Sequence, residues 1–148
     1  MRYLILAALI LTGSIHTAPF AIAGETAEQS FSVGTLKPDE PPIEGSQCSF
    51  AQQPRSGDIL KGDWGDKMWM KIDGRLVEFT RKQSSAEEDA SQVEQNIWKQ
   101  TFRASNATLS VDFVITAEGN DGVAMKGTIK VSKGTKTKTF KVKGGCGS

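Results

Sequence analysis

The chain has 148 residues, 18 Lys and Arg against 17 Asp and Glu, 38% hydrophobic residues and 15 glycines. That balance fits one small domain and excludes a multidomain enzyme, a cysteine-dense scaffold, a collagen-like repeat and a polytopic membrane protein. Five prolines among so many glycines also argue against a mostly helical chain.

The first segment reads as a targeting signal. Arg2 precedes an apolar run of nine residues, Tyr3–Leu11, too short for the roughly 20 that cross a bilayer. Thr12, Gly13 and Ser14 break the run, and Ala21-Ile22-Ala23 has the small–x–small form of a signal-peptidase site. Residues 1–23 are therefore expected to be a signal peptide cleaved near Ala23, giving a periplasmic or secreted protein without a transmembrane span. The simple signal suits either a bacterial periplasm or secretion elsewhere, and a bacterial envelope is the expected setting. Ser14 stands where a lipoprotein would carry its cysteine.

Cleavage changes what chemistry is possible. His16 and Tyr3, the only histidine and tyrosine, leave with the signal. A Ser-His-Asp or Cys-His arrangement and histidine metal ligands leave with them. Charge is also unevenly spread. Residues 24–98 carry 8 basic and 14 acidic side chains, a balance of −6, and residues 99–148 carry 9 and 3, a balance of +6. A basic surface of that kind steers an acidic partner, whereas scattered lysines only protect strand edges.

Residues 24–47 are expected to be an extended N-terminal segment and linker, with Phe31 and Val33 alternating as a short strand and Lys37-Pro38-Asp39-Glu40-Pro41-Pro42 stiff and polar. Cys48 and Cys146 are the only cysteines, and in an exported chain they are expected to form one disulfide. The folded domain then covers 48–146. Within it, Asp73-Gly74 lies between two alternating runs, the strongest short hairpin signal. It pairs Ile72 with Arg75, Met70 with Val77 and Met68 with Phe79. Ser84–Ser91 is a polar, acidic break that could hold a helical turn but has no apolar stripe to bury. Ile97–Arg103 alternates with Trp98 and Phe102 on one side, and a short helix through Val93, Ile97 and Trp98 is the competing reading. Residues 106–117, 123–131 and 136–142 follow as strands separated by Gly, Asn and Asp turns. The expected class is all-β: a small antiparallel β-sandwich or barrel-like domain of about six to eight strands with hairpin connections.

The functional signals are weaker. Asp58, Asp63 and Asp66 lie with Trp64 in what reads as one loop region, so Asp63 and Asp66 could serve a small carboxylate-dependent hydrolase. Turn-forming Asx chemistry is the plainer reading. No metal or cofactor site is expected, since no acidic run has calcium-loop spacing and no nucleotide-binding motif occurs. Trp64, Trp69 and Lys71 on the first hairpin, and Lys136, Lys138 and Lys141 near the C-terminus, are the candidate binding residues. The expected role is a non-catalytic binding protein of the cell envelope whose partner is a protein or an acidic polymer. A structural envelope component is the remaining alternative. Nucleic acid is not expected, because the lysines have no interleaved aromatics.

Overall fold

The computed structural model describes residues 30–148, so the signal peptide expected at 1–23 lies outside the described residues. Nine strands and one short helix follow in order: β1 (Val33–Gly34), β2 (Gln47–Gln52), β3 (Asp58–Gly62), β4 (Lys67–Ile72), β5 (Arg75–Arg81), α1 (Ala86–Glu94), β6 (Ile97–Arg103), β7 (Ala107–Gly119), β8 (Gly122–Lys133) and β9 (Lys136–Gly147). Each of β2 to β9 pairs antiparallel with the next, and β9 returns to pair with β2. The result is an up-and-down barrel of eight strands, with β1 added beside β4. The expected all-β, barrel-like class is what the chain adopts.

The period of two decides what fills the barrel. Met68, Met70 and Ile72 of β4 point inward with Phe79 of β5, Phe102 of β6, Leu109, Val111 and Phe113 of β7, and Ile129 and Val131 of β8. A ring of eight strands encloses just enough width for such side chains. The Phe50 and Phe113 rings lie 4.4 Å apart, and Trp98 meets Phe113 edge-on at 5.7 Å. Burying each large apolar side chain contributes about 1.5–3 kcal/mol.

The β4–β5 hairpin forms in the expected register, with Ile72 opposite Arg75, Met70 opposite Val77 and Met68 opposite Phe79. Asp73 and Gly74 take φ of 50° and 76°, as a primed turn requires. At Gly127 and Gly144 the strands come too close for any side chain. A Cβ at Gly127 would meet the Asp112 carbonyl oxygen, and one at Gly144 would meet that of Ser49. These two positions let β8 and β9 bend around the barrel.

Three sequence expectations need correction. The acidic stretch after Gly57 is not one loop: Asp58–Gly62 is β3, with Leu60 facing the core. Its alternation is hidden because both faces of β3 are covered, leaving Ile59 and Lys61 as buried as Leu60. The helix is also displaced from the competing reading. It occupies Ala86–Glu94, starting inside the polar break and including Val93, while Ile97 and Trp98 belong to β6. Ser85 caps it by accepting a hydrogen bond from the Glu88 amide at 3.1 Å, and Val93 remains 75% exposed.

Lastly, the segment before β2 is a packed strap from Phe31 onward. Phe31 and Leu36 are buried, the Leu36 amide donates to the Asp58 carbonyl at 2.7 Å, and the Lys61 ammonium donates to the Lys37 and Pro38 carbonyls at 2.8 Å each. Lys61 is only 5% exposed, so those two carbonyls take over part of the hydration it gives up.

Candidate functional site

The barrel distributes the sequence-predicted residues over four places. Trp64 lies in the β3–β4 turn at the end of the barrel that carries the disulfide, 44% exposed and with φ of 53°. Trp69 and Lys71 face outward from β4. Lys136 and Lys138 stand at the opposite end, where Lys138 lies over the Phe31 ring at 5.4 Å. Lys141 faces outward from β9. In a ring of eight, β4 and β8 are four places apart, on opposite sides of the barrel. The tryptophan hairpin and the lysine hairpin therefore do not form one surface.

The hairpin residues are engaged locally. The Trp69 indole N–H donates to Glu78 at 3.2 Å, and Glu78 also pairs with Lys67 at 2.9 Å. Lys71 pairs with Glu40 of the strap at 2.6 Å. That hydrogen bond, more than any other influence, holds the Glu40 carboxyl below the ordinary range, and Lys67 does the same for Glu78. Asp63 accepts from the Gly65 and Lys67 amides at 2.9 and 3.1 Å, which is Asx turn chemistry. Among the described residues no three acidic, histidine or cysteine side chains gather as a metal site would.

A second cluster lies where β5 and β6 separate. They pair at only two positions, Thr80 with Arg103 and Arg81 with Phe102. Helix α1 covers the rest of the β6 edge. Gln92 accepts from the Lys99 amide at 2.6 Å, while Arg81 reaches the Gln100 carboxamide at 2.9 Å and Asp89 at 3.1 Å. Asp89 also accepts from the Ser84 hydroxyl at 2.7 Å, the main reason its carboxyl sits below the usual aspartate range. Every strong partner here is used within the cluster, which closes a gap in the barrel wall.

The outer face of β6 to β9 is different. Cross-strand registers place side chains in rows running around the barrel. One row is Ile97, Val114, Lys126, Lys143 and Ala51 of β2. The next is Lys99, Asp112, Thr128 and Lys141, followed by Thr101, Ser110, Lys130 and Thr139. Asp112 is the one acid in these rows and is taken by Lys99 at 3.3 Å. Lys126, Lys130, Lys141 and Lys143 are exposed and make no ion pair with any described residue. Lys126 and Lys143 stand directly opposite each other, an arrangement that costs stability on a bare sheet. Beside them is a groove of about 480 Å³ lined by Gln53, Val114, Gly127 and Val142 and edged by Lys126, Lys141 and Lys143.

Of this face, sequence reasoning named Lys141 as a candidate binding residue and counted Lys126, Lys130 and Lys143 among the lysines of a possible one-signed patch. Parity was the usable signal, since Lys141 and Lys143 share one face of β9 and Lys126 and Lys130 share one face of β8. What it lacked was the register that brings the two pairs together.

Cys48 and Cys146 are directly opposite partners in the β2–β9 seam and form the expected disulfide, with 98 residues of separation. Such a bond is compatible with an oxidising, extracytoplasmic compartment. No helix among the described residues is long and apolar enough to cross a membrane. Comparison with protein families, with characterised proteins and with solved structures finds no match to this chain. The chain is thus defined by its architecture: a disulfide-closed, eight-stranded up-and-down barrel with one cationic side.

Proposed function

We propose that this is an exported, non-catalytic binding protein of the cell envelope, periplasmic or secreted, which holds its partner on the outer face of β8 and β9. The observation that carries the reading is the pair of exposed lysines, Lys126 and Lys143, placed opposite each other with no ion-pair partner among the described residues. A sheet keeps such a repulsive pair at a cost, and an acidic partner turns the cost into attraction. The filled interior supports contact from outside, because aromatic and aliphatic side chains occupy the space where a barrel would hold a small ligand. The signal segment at residues 1–23 and the disulfide support export.

The test is co-sedimentation of the exported protein with a washed envelope fraction at rising salt. The wild type sediments at low ionic strength and is released as screening shortens the Debye length to about 3 Å near 1 M salt. A Lys126→Gln/Lys143→Gln variant stays in the supernatant throughout. Equal sedimentation of variant and wild type overturns the proposal.

A further inference from the structure

The geometry points to a linear anionic glycan, a sugar polymer with repeating carboxylate or other acidic groups, as the partner class; this rests on the reading of the β8–β9 face given above. Three features of that face select among acidic partners. Its cations are lysines on an open surface, Lys126, Lys130, Lys141 and Lys143. Cross-strand neighbours on a sheet lie about 5 Å apart and same-face neighbours along a strand about 7 Å apart. That grid suits a chain with repeated charges better than a single ion.

The second feature is hydroxyl density. Thr101, Ser110, Thr128 and Thr139 lie in the rows among the lysines. Their hydroxyls make no side-chain hydrogen bond with a described residue, whereas Ser132 and Thr137 nearby are paired with each other at 2.9 Å. A hydroxyl both donates and accepts, so it matches the hydroxyls of a sugar ring as well as an anionic oxygen.

The third feature is what the face lacks. No aromatic side chain and no Arg stands in the three rows that carry the lysines. A folded acidic protein would be expected to use aromatic or Arg anchors around an apolar centre, and a nucleic acid would be expected to use aromatic stacking platforms. The apolar floor of the groove is small, the exposed Val114 beside the Gly127 backbone, with Val142 turned into the core; it gives one apolar contact for a sugar and no seat for a protein side-chain cluster.

The test is calorimetric titration of the full exported chain with three polymers of similar charge: polygalacturonate, polyglutamate and a single-stranded oligonucleotide. Polygalacturonate should bind most tightly. Removing four exposed charges in Lys126→Gln/Lys130→Gln/Lys141→Gln/Lys143→Gln should weaken it by roughly tenfold or more. The Ser110→Ala/Thr128→Val/Thr139→Val variant should lose about three- to tenfold for polygalacturonate and nothing for polyglutamate. Lys67→Gln, on the outer side of β4 across the barrel, serves as the control and should leave all three unchanged. If polyglutamate or the oligonucleotide binds as tightly as polygalacturonate, with loss only in the lysine variant, the glycan class is wrong and the cationic site stands. If no polymer binding responds to the lysine variant, both readings fall.

Discussion

Removing the Cys48–Cys146 bond should expose how much barrel closure depends on it. The two cysteines are register partners in the only pairing that joins the first strand of the ring to the last, and 98 residues separate them. Without the bond, the unfolded chain regains the freedom of a loop of that length. In the chain-entropy description this corresponds to about 4.7 kcal/mol at 25 °C, an upper figure because real unfolded states retain some structure. Cys48 and Cys146 are both buried, so alanine replacements add a small cavity and no orphaned hydroxyl. The Cys48→Ala/Cys146→Ala double variant should therefore lose about 3–5 kcal/mol in urea unfolding followed by circular dichroism. For a domain of this size that is a fall in Tm of roughly 10–20 °C. Reducing the wild type should reproduce most of the loss. A loss below about 1 kcal/mol in both cases would show that the β2–β9 pairing closes the barrel unaided, refuting the argument.

Three further outcomes follow from local geometry. Gln92→Ala strands the Lys99 amide beneath α1 and should cost about 1–3 kcal/mol, with hydrogen exchange at that amide rising more than at Val111 in the core. Gly127→Ala forces a Cβ against the Asp112 carbonyl and the Phe113 backbone, so destabilisation of about 3 kcal/mol or more is expected on thermal unfolding. The carboxyls of Glu40, Asp73, Glu78 and Asp89 all titrate below their ordinary range, chiefly through hydrogen bonds from Lys71, Lys133, Lys67 and Ser84 respectively. Their stabilisation is full above about pH 5 and is lost as the pH falls through 4 toward the lowered folded values. Unfolding midpoints should decline across that window, and less steeply in an Asp73→Asn/Glu78→Gln variant; an unchanged acid limb contradicts the assignment.

The parts of the fold legible in sequence were those governed by short-range rules. Asp73-Gly74 dictated both turn and register because only a primed turn fits the strand twist there. Alternation exposed β7 and β9 because each has one wet face. β3 escaped because the strap covers its outer side, so Ile59, Leu60 and Lys61 show no alternation in burial. Helix α1 was legible only as a possible turn in a polar stretch, because no marked apolar stripe announces it: it is placed by the Ser85 cap and by the β6 edge that it covers. The closing of the ring was signalled only by the two cysteines, since no local pattern says that β9 must meet β2.

The candidate site divides in the same way. Lysine enrichment near the C-terminus was visible as composition, but its chemistry depends on neighbours from other strands. Register sent Lys138 to the barrel end over Phe31 and put Lys141 beside Thr128. Trp69 looked like an anchor because its hairpin face is wet, yet its indole is already hydrogen-bonded to Glu78. The strap that engages Lys71 lies 31 residues away in sequence, beyond the reach of any local pattern.

The central claim is that the cationic outer face of β8 and β9 is where this protein meets its partner. The most direct measurement is a backbone amide titration by NMR with polygalacturonate added to the disulfide-bonded protein. The account predicts shifts centred on Lys126, Thr128, Lys141 and Lys143, fading with salt and leaving Trp64, Trp69 and Lys71 on the far side unmoved. Shifts centred on the tryptophan hairpin, or none anywhere on β8 and β9, would contradict it.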